Sequence, residues 1–242
     1  MTRDHNDWIS AYFAACTRDL TPPAARPAVR VLFAPVSPDC EVSERSASVL
    51  SGMERNRSDR FAAKGDQVRF KLRRAFRRYC GATACKSSRP LSQVDFAETE
   101  NGRPYLPDRP DIWFSFSSCR FGLLGAWSST HKIGVDIEDQ TKILEPQELA
   151  RRFFSEGEAI ALEMRDSATR LKTFFQLWSL KEAALKSIGA GLPFGLDAFQ
   201  FAHDPSPRIV HAPADLGGRE QFKAHRIEGT GGCAALVMRK PG

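Results

Sequence analysis

No run of about 18 consecutive apolar residues occurs anywhere in the chain, so no segment has the length of a membrane-spanning helix. The first residues carry Asp4 and Asp7 and lack the apolar centre of a leader peptide, so a cytoplasmic protein without a membrane partner is expected. The six cysteines, Cys16, Cys40, Cys80, Cys85, Cys119 and Cys233, form no CxxC pair. None stands at zinc-like spacing from His5, His131, His203, His211 or His225. These absences argue against a zinc site or a disulfide framework and for reduced, mostly buried thiols. Short tandem repeats, a zinc finger, an RNP motif and an aromatic stacking platform are missing too, and no nucleic-acid partner is expected.

What remains is an ordinary globular composition. With 242 residues and 42% hydrophobic content, the chain can bury a proper core as one large or two small domains. Its 35 basic and 29 acidic residues leave a net charge of +6, which favours anionic partners without choosing among them.

The chemistry concentrates in two stretches. Gly134-Val135-Asp136-Ile137-Glu138 reads as a strand, in which Val135 and Ile137 face a core while Asp136 and Glu138 share the opposite side. Taken alone, these could be two surface carboxylates on an edge strand. The second stretch, Leu171 to Lys186, is free of Gly and Pro and rich in helix formers. At about 100° per residue it puts Leu171, Phe175, Trp178 and Leu185 on one stripe with Glu182. A carboxylate there is costly unless paired or metal-bound. Lys186, one turn on, shares that face, where the plain alternative is a simple i,i+4 pair with Glu182. Read jointly, Asp136, Glu138 and Glu182 make an all-oxygen set with no convergent His or Cys. Such a set suits Mg²⁺ or Mn²⁺, with waters and a substrate phosphate completing the shell.

Along the chain, residues 1–27 read as an N-terminal extension with a short helix over Trp8–Cys16, stopped by Pro22, Pro23 and Pro27. Val29–Ala34 is the first strand, followed by a turn region over Pro35–Ser43 and helices over Glu44–Leu50 and Met53–Lys64. Asp66 reads as the cap of a further helix with Val68, Leu72, Ala75, Phe76 and Tyr79 as its buried stripe. Arg69, Arg73, Arg74, Arg77 and Arg78 then form a basic face, ordinarily a solvated one. Asn101–Leu106 is a turn holding Arg103. Strands follow over Ile112–Ser117 and Phe121–Trp127, and Phe121–Glu138 reads as a hairpin. Ser155 and Glu158 form a capping box. The long helix from about Ala168 stops at Gly189-Ala190-Gly191, and short strands lie around Phe199, Ile209, Phe222 and Ala234–Met238. The fold expected is α+β: two pseudo-symmetric halves, 28–127 and 128–242, each a small antiparallel sheet packed with a long helix, the second carrying the metal site.

Gly134-Val135-Asp136-Ile137-Glu138, Arg151-Arg152-Phe153-Phe154-Ser155-x-x-Glu158, Trp178-Ser179-Leu180-Lys181-Glu182-x-x-x-Lys186 and Gly189-x-Gly191-Leu192 together resemble the signature of the 4′-phosphopantetheinyl transferases of the surfactin-synthetase-activating type. The resemblance extends upstream through Arg60-Phe61, Asp66, Arg69-Phe70, Gly102-Arg103-Pro104 and Phe114-Ser115-Phe116-Ser117. It covers about Val29 to Phe201, in order. It implies a monomer with its site at the junction of the halves. The implied reaction moves the phosphopantetheine arm of coenzyme A to a serine of an acyl or peptidyl carrier protein and releases adenosine 3′,5′-bisphosphate. Asp136, Glu138 and Glu182 would hold the metal, with Glu182 the preferred base and Lys186 on the phosphates. Arg57, Arg69 and Arg103 would grip the 3′-phosphate of coenzyme A, with Ser117 and Ser118 beside it. One departure stands out: where the family commonly has a histidine on that phosphate, this chain has the uncharged Ser118, which implies a weaker or differently balanced grip. Two other classes stay in view. A metal-dependent nuclease would use the same carboxylates and lysine, and a non-catalytic carrier-binding module would keep the fold.

Overall fold

The structure, a computed structural model, describes residues 5–36, 40–141 and 145–241. Residues 37–39 of the expected turn region and the first four residues lie outside them. In chain order come α1 (His5–Cys16), β1 (Arg18–Asp19), β2 (Arg30–Pro35), α2 (Cys40–Ala47), α3 (Gly52–Asp59) and α4 (Lys64–Cys85). Then follow β3 (Ala97–Glu98), β4 (Pro104–Tyr105), β5 (Trp113–Ser118), β6 (Gly122–Ser128) and β7 (Lys132–Glu138). The remainder holds α5 (Pro146–Phe153), α6 (Glu156–Glu163), α7 (Ser167–Ser187), β8 (Gln200–Ala202), β9 (Arg208–His211), β10 (Phe222–Arg226) and β11 (Cys233–Arg239).

Two antiparallel sheets, β1-β2-β6-β5 and β10-β11-β7, carry the α+β fold. They pack face to face through Val31, Phe33 and Leu124 on one side and Ile133, Val135, Ile137 and Leu236 on the other. The first sheet is backed by α4 with α1 and α2. The second is backed by α7, which lies on β7 and β11. The result is a helix–sheet–sheet–helix stack, in which alternation along β7 sends Val135 and Ile137 inward and leaves Asp136 and Glu138 on the α7 side.

Four expectations change. The hairpin is β5–β6, closed by the Cys119 amide donating to the Gly122 carbonyl at 3.0 Å. The chain then leaves one sheet for the other, so β6 and β7 do not pair; β7 pairs with β11 instead. Both strands are buried on both faces, which suits central packing more than a half-solvated hairpin. The N-terminal segment is no appendage: Ile9 and Phe13 are fully buried, and the Phe13 ring lies 5.5 Å from Phe76 and 5.6 Å from Tyr79. A short amphipathic helix beside an unfilled apolar surface gains more by packing than by projecting into water. Asp66 is not a cap; α4 begins at Lys64, and Asp66 sits in its first turn paired with Arg69. The arginine face is not simply solvated, since Arg78 is 3% exposed and bonds Glu54 and Asp95 at 2.8 and 3.0 Å. The Ser155–Glu158 capping box forms as expected.

Because α1 completes the core under α4, Phe13→Ala should lower stability by about 3–5 kcal/mol in urea denaturation. A change below about 0.5 kcal/mol, the range of ordinary surface substitutions, would show that α1 contributes little to this core.

Candidate active site

The geometry of the site begins at Gly134. A Cβ on this residue would fall 1.9 Å from the Ala183 carbonyl oxygen and 2.6 Å from the Ser187 nitrogen. Only glycine lets α7 lie against β7 at this depth. That contact sets Asp136, two residues along the strand, beside Lys186 of the helix.

Asp136 is 4% exposed. Its Oδ1 accepts hydrogen bonds from Ser117 Oγ and Lys186 Nζ, both at 2.7 Å. Its Oδ2 is buried with no hydrogen-bond partner. Glu182, half-buried on α7, has its carboxyl pushed above the usual carboxylate range; burial is the main cause, the charges of Asp136 and Glu138 add to it, and Lys186 opposes. Strand and helix thus bring all four expected residues, Asp136, Glu138, Glu182 and Lys186, into one electrostatic neighbourhood. Among the described residues, no group of three His, Cys, Asp or Glu side chains already stands in metal-binding geometry; the Lys186 ammonium occupies Asp136 Oδ1.

The seam between the sheets fixes the other side. β5 runs beside β7 and bonds it through alternate side chains. Trp113 Nε1 donates to the Ile133 carbonyl at 2.7 Å, Ser115 Oγ accepts from the Val135 amide at 3.0 Å, and Ser117 reaches Asp136. Arg103 stacks over Trp113 with its guanidinium carbon 3.9 Å from the ring centre, beside Gly189. Gly189 takes φ of +71° and closes α7 with a Schellman pair: its amide bonds the Lys186 carbonyl at 3.1 Å and the Ala190 amide bonds Leu185 at 3.0 Å. A cavity of about 220 Å³ opens here, lined by Arg103, Ser115, Glu182, Lys186, Gly189 and Arg77.

The expected anion-binding residues are spread along a trough. Ser117 and Ser118 line a second cavity of about 260 Å³ with Arg73 and Arg77. Arg69 lines a third of about 490 Å³ with Ser118, Arg73 and Arg120. Arg57 lies over the Phe70 ring at 5.6 Å, and Arg103 stays in the first cavity, apart from Arg69. From sequence Arg73 and Arg77 were expected only as part of a solvated basic face, because periodicity alone does not tell a cavity-facing guanidinium from a solvated one, and Arg120, in the β5–β6 turn, was not singled out.

The single-stripe picture of α7 also changes, because the helix is buried on most sides. Glu182 faces the cavity, and the charge that enters the core is Lys181. It is fully buried, bonding Glu158 Oε2 at 2.7 Å and the carbonyls of Leu196 and Phe199 at 3.0 and 2.5 Å. Burial lowers its pKa below the ordinary lysine value against the pull of Glu158. Glu158 also accepts from the Ser155 and Phe201 amides at 3.1 and 2.9 Å. This satisfied pair pins α6 and the segment after α7 to the helix that carries Glu182.

A cavity at the seam of two sheets thus sets strand carboxylates beside a helix Glu, a Lys and two arginines, a polar and strongly charged lining. Residues 132–235 match the model of the 4′-phosphopantetheinyl transferase superfamily. The chain is 35% identical over 159 residues to the 4′-phosphopantetheinyl transferase Sfp of Bacillus subtilis (strain 168), covering 66% of this chain and 69% of that protein. It is 33% identical over 161 residues to the 4′-phosphopantetheinyl transferase ffp of Bacillus subtilis, with shares of 66% and 69%. A phosphopantetheinyl transferase of Thraustochytrium sp. matches at 32% over 223 residues, covering 83% of this chain and 74% of its own. The chain belongs to the 4′-phosphopantetheinyl transferase superfamily, and within it to the Sfp type; it is a transferase.

Lys181→Ala would leave Glu158 buried without its cation and should cost about 3–5 kcal/mol in chemical denaturation. Lys186→Ala, at a half-exposed ion pair, should cost clearly less. Equal costs would show that Lys181 is not the structural member of the two. Gly134→Ala should abolish recovery of folded protein or force α7 outward, read by circular dichroism and thermal melting; a wild-type melting curve would overturn the close-contact argument.

Proposed function

We propose that the chain transfers the 4′-phosphopantetheine arm of coenzyme A to a serine of an apo acyl or peptidyl carrier protein, with adenosine 3′,5′-bisphosphate as the leaving group. The observation that carries this reading is the meeting of Asp136, Glu138 and Glu182 around Lys186 beside an arginine-lined cavity. The residues suit a divalent cation. Asp136 Oδ2 is a buried anionic oxygen without a partner, the mutual charge of the three carboxylates favours a cation between them, and an all-oxygen set suits Mg²⁺ or Mn²⁺. Asp136, Glu138 and Glu182 would hold it. When bound, a divalent ion supplies neutralisation of the charge that builds on the departing phosphate.

The chain's own residues do the rest. The acceptor serine oxygen bonds to the pantetheine-side phosphorus as the bond from that phosphorus to the bridging oxygen breaks, and the electron pair leaves with the nucleotide. Glu182, half-buried and with raised proton affinity, accepts the serine proton. Lys186 lies 2.7 Å from Asp136 with its side chain 30% exposed, and it offers its remaining donors to the pyrophosphate. Ser117 orients Asp136. The described cysteines, Cys16, Cys80, Cys85, Cys119 and Cys233, are all free, which supports a reducing cytoplasmic setting. The net charge of +6 suits acidic carrier proteins.

The test is to mix the chain with coenzyme A, Mg²⁺ and an apo carrier and to weigh the carrier by mass spectrometry. A gain of one phosphopantetheine is expected, abolished by a chelator. Asp136→Asn and Glu182→Gln should each slow it by about 100-fold or more. No gain with any of several acyl and peptidyl carriers would sink the reading and favour a binding module.

A further inference from the structure

Lys186 stands one helical turn after Glu182 on α7, where an i,i+4 partner is within reach. It bonds Asp136 of β7 instead, with Nζ 2.7 Å from Oδ1. The ammonium enters the carboxylate centre from its open side, since the Asp136 side chain is 5% exposed and the Lys186 side chain 30%. Ser117 Oγ donates to the same Oδ1, and Oδ2 is buried without a partner. Lys186 also lines the cavity of about 220 Å³ with Glu182, Arg103 and Gly189.

Three acids meet one ammonium here, and that ammonium acts as their counter-ion. Its charge draws the Glu182 carboxyl down, while burial, Asp136 and Glu138 push it up. A divalent ion held by the same carboxylates asks for the same negative charge and, at Asp136, for a side chain that Lys186 already engages. A second cation beside a bonded ammonium is repelled, and at a buried carboxylate little solvent screens that repulsion. The lysine is free to give way. Among the described residues its one hydrogen bond is to Asp136, whereas Lys181 on the same helix is locked by Glu158 and two carbonyls. A flexible four-carbon stem lets the Lys186 ammonium swing from the strand into the cavity without moving α7.

We infer that Lys186 is the exchangeable counter-ion of the carboxylate centre: it has to leave Asp136 before Asp136, Glu138 and Glu182 hold a divalent ion at full strength, and the pyrophosphate of coenzyme A is the anion that draws it away. The inference rests on the proposed function and adds a coupling to it. Bonded to Asp136, Lys186 opposes the metal; bonded to phosphate, it no longer does. Metal and coenzyme A therefore tighten each other's binding through this one side chain, by the same factor in each direction.

The test is equilibrium binding of Mn²⁺ to the full chain, followed by loss of the free-ion electron paramagnetic resonance signal, with and without coenzyme A and with no carrier present. Readings are corrected for Mn²⁺ held by coenzyme A in solution. Lys186→Met, which removes the charge and keeps the side-chain length, should bind Mn²⁺ alone about 10-fold more tightly than wild type. Ser117→Ala leaves the lysine in place and should bring no such gain. Coenzyme A should tighten Mn²⁺ binding by about 10-fold or more in wild type and by a smaller factor in Lys186→Met. A second arm needs no variant to fold: in wild type, a pulse of acetic anhydride read by peptide mass spectrometry should acetylate Lys186 faster once Mn²⁺ is added, and slower again once coenzyme A follows. Unchanged or weaker Mn²⁺ binding in folded Lys186→Met, or Lys186 acetylation indifferent to Mn²⁺, would overturn the inference while the proposed function stands. Wild-type protein that binds neither Mn²⁺ nor coenzyme A would remove the functional reading and this inference with it.

Discussion

The contact at Gly134 is the constraint on which the site depends. Helix α7 rests on β7 with its Ala183 carbonyl so near residue 134 that a single methyl group has no place. Depth of packing there sets the height of everything further along both elements. At that depth Lys186 reaches Asp136 at 2.7 Å. A helix raised by a side chain at 134 would carry Glu182 and Lys186 away from the strand carboxylates together, because one backbone holds both. The cost of glycine in a strand, roughly 0.5–1 kcal/mol of conformational entropy, is offset by the apolar surface that a close helix buries.

The two lysines of Lys181-Glu182-Ala183-Ala184-Leu185-Lys186 divide the work in opposite ways. Lys181 has every donor occupied and no access to water, so it can fix geometry but cannot meet a ligand. A buried pair of this kind adds little net stability by itself, because desolvation consumes most of the attraction. Its effect is specificity: no apolar side chain could bond Glu158 and two carbonyls at once. Lys186 keeps part of its surface open and shares one carboxylate oxygen with Ser117. The residue between them, Glu182, is therefore presented from a helix that is clamped on its buried side and open on its cavity side.

How far the sequence foretold this differs by element. The single stripe expected to hold Glu182 was not readable, because α7 is buried on most sides, whereas the shared side of Asp136 and Glu138 was, because strand periodicity decides a face, which is local information. The stop at Gly189 and the capping box at Ser155 were readable for the same reason, since caps depend on residues three or four apart. The pairing of β7 with β11 across about a hundred residues was not, because alternation says which face is buried but not against which partner. Nor was the burial of α1: Ile9 and Phe13 at helical spacing show an apolar face, and only the fold shows what it covers. The basic face of α4 was misread because five arginines on one helix look alike until their counter-charges, Glu54, Asp95 and Glu98, arrive from elsewhere in the chain.

The seam between β5 and β7 joins the two sheets beside Asp136. Two sheets stacked through an apolar layer leave their edges short of backbone partners. Here Trp113 and Ser115 bond the facing strand's carbonyl and amide directly with side chains. The third such residue, Ser117, bonds a carboxylate instead of backbone. One strand edge thus joins the halves and, in its last bond, orients Asp136. Any relative slip of the two sheets would have to break the Trp113 and Ser115 bonds before it could move the carboxylate. The trough that runs from Arg103 past Arg77 to Arg69 therefore keeps a fixed bearing on Asp136.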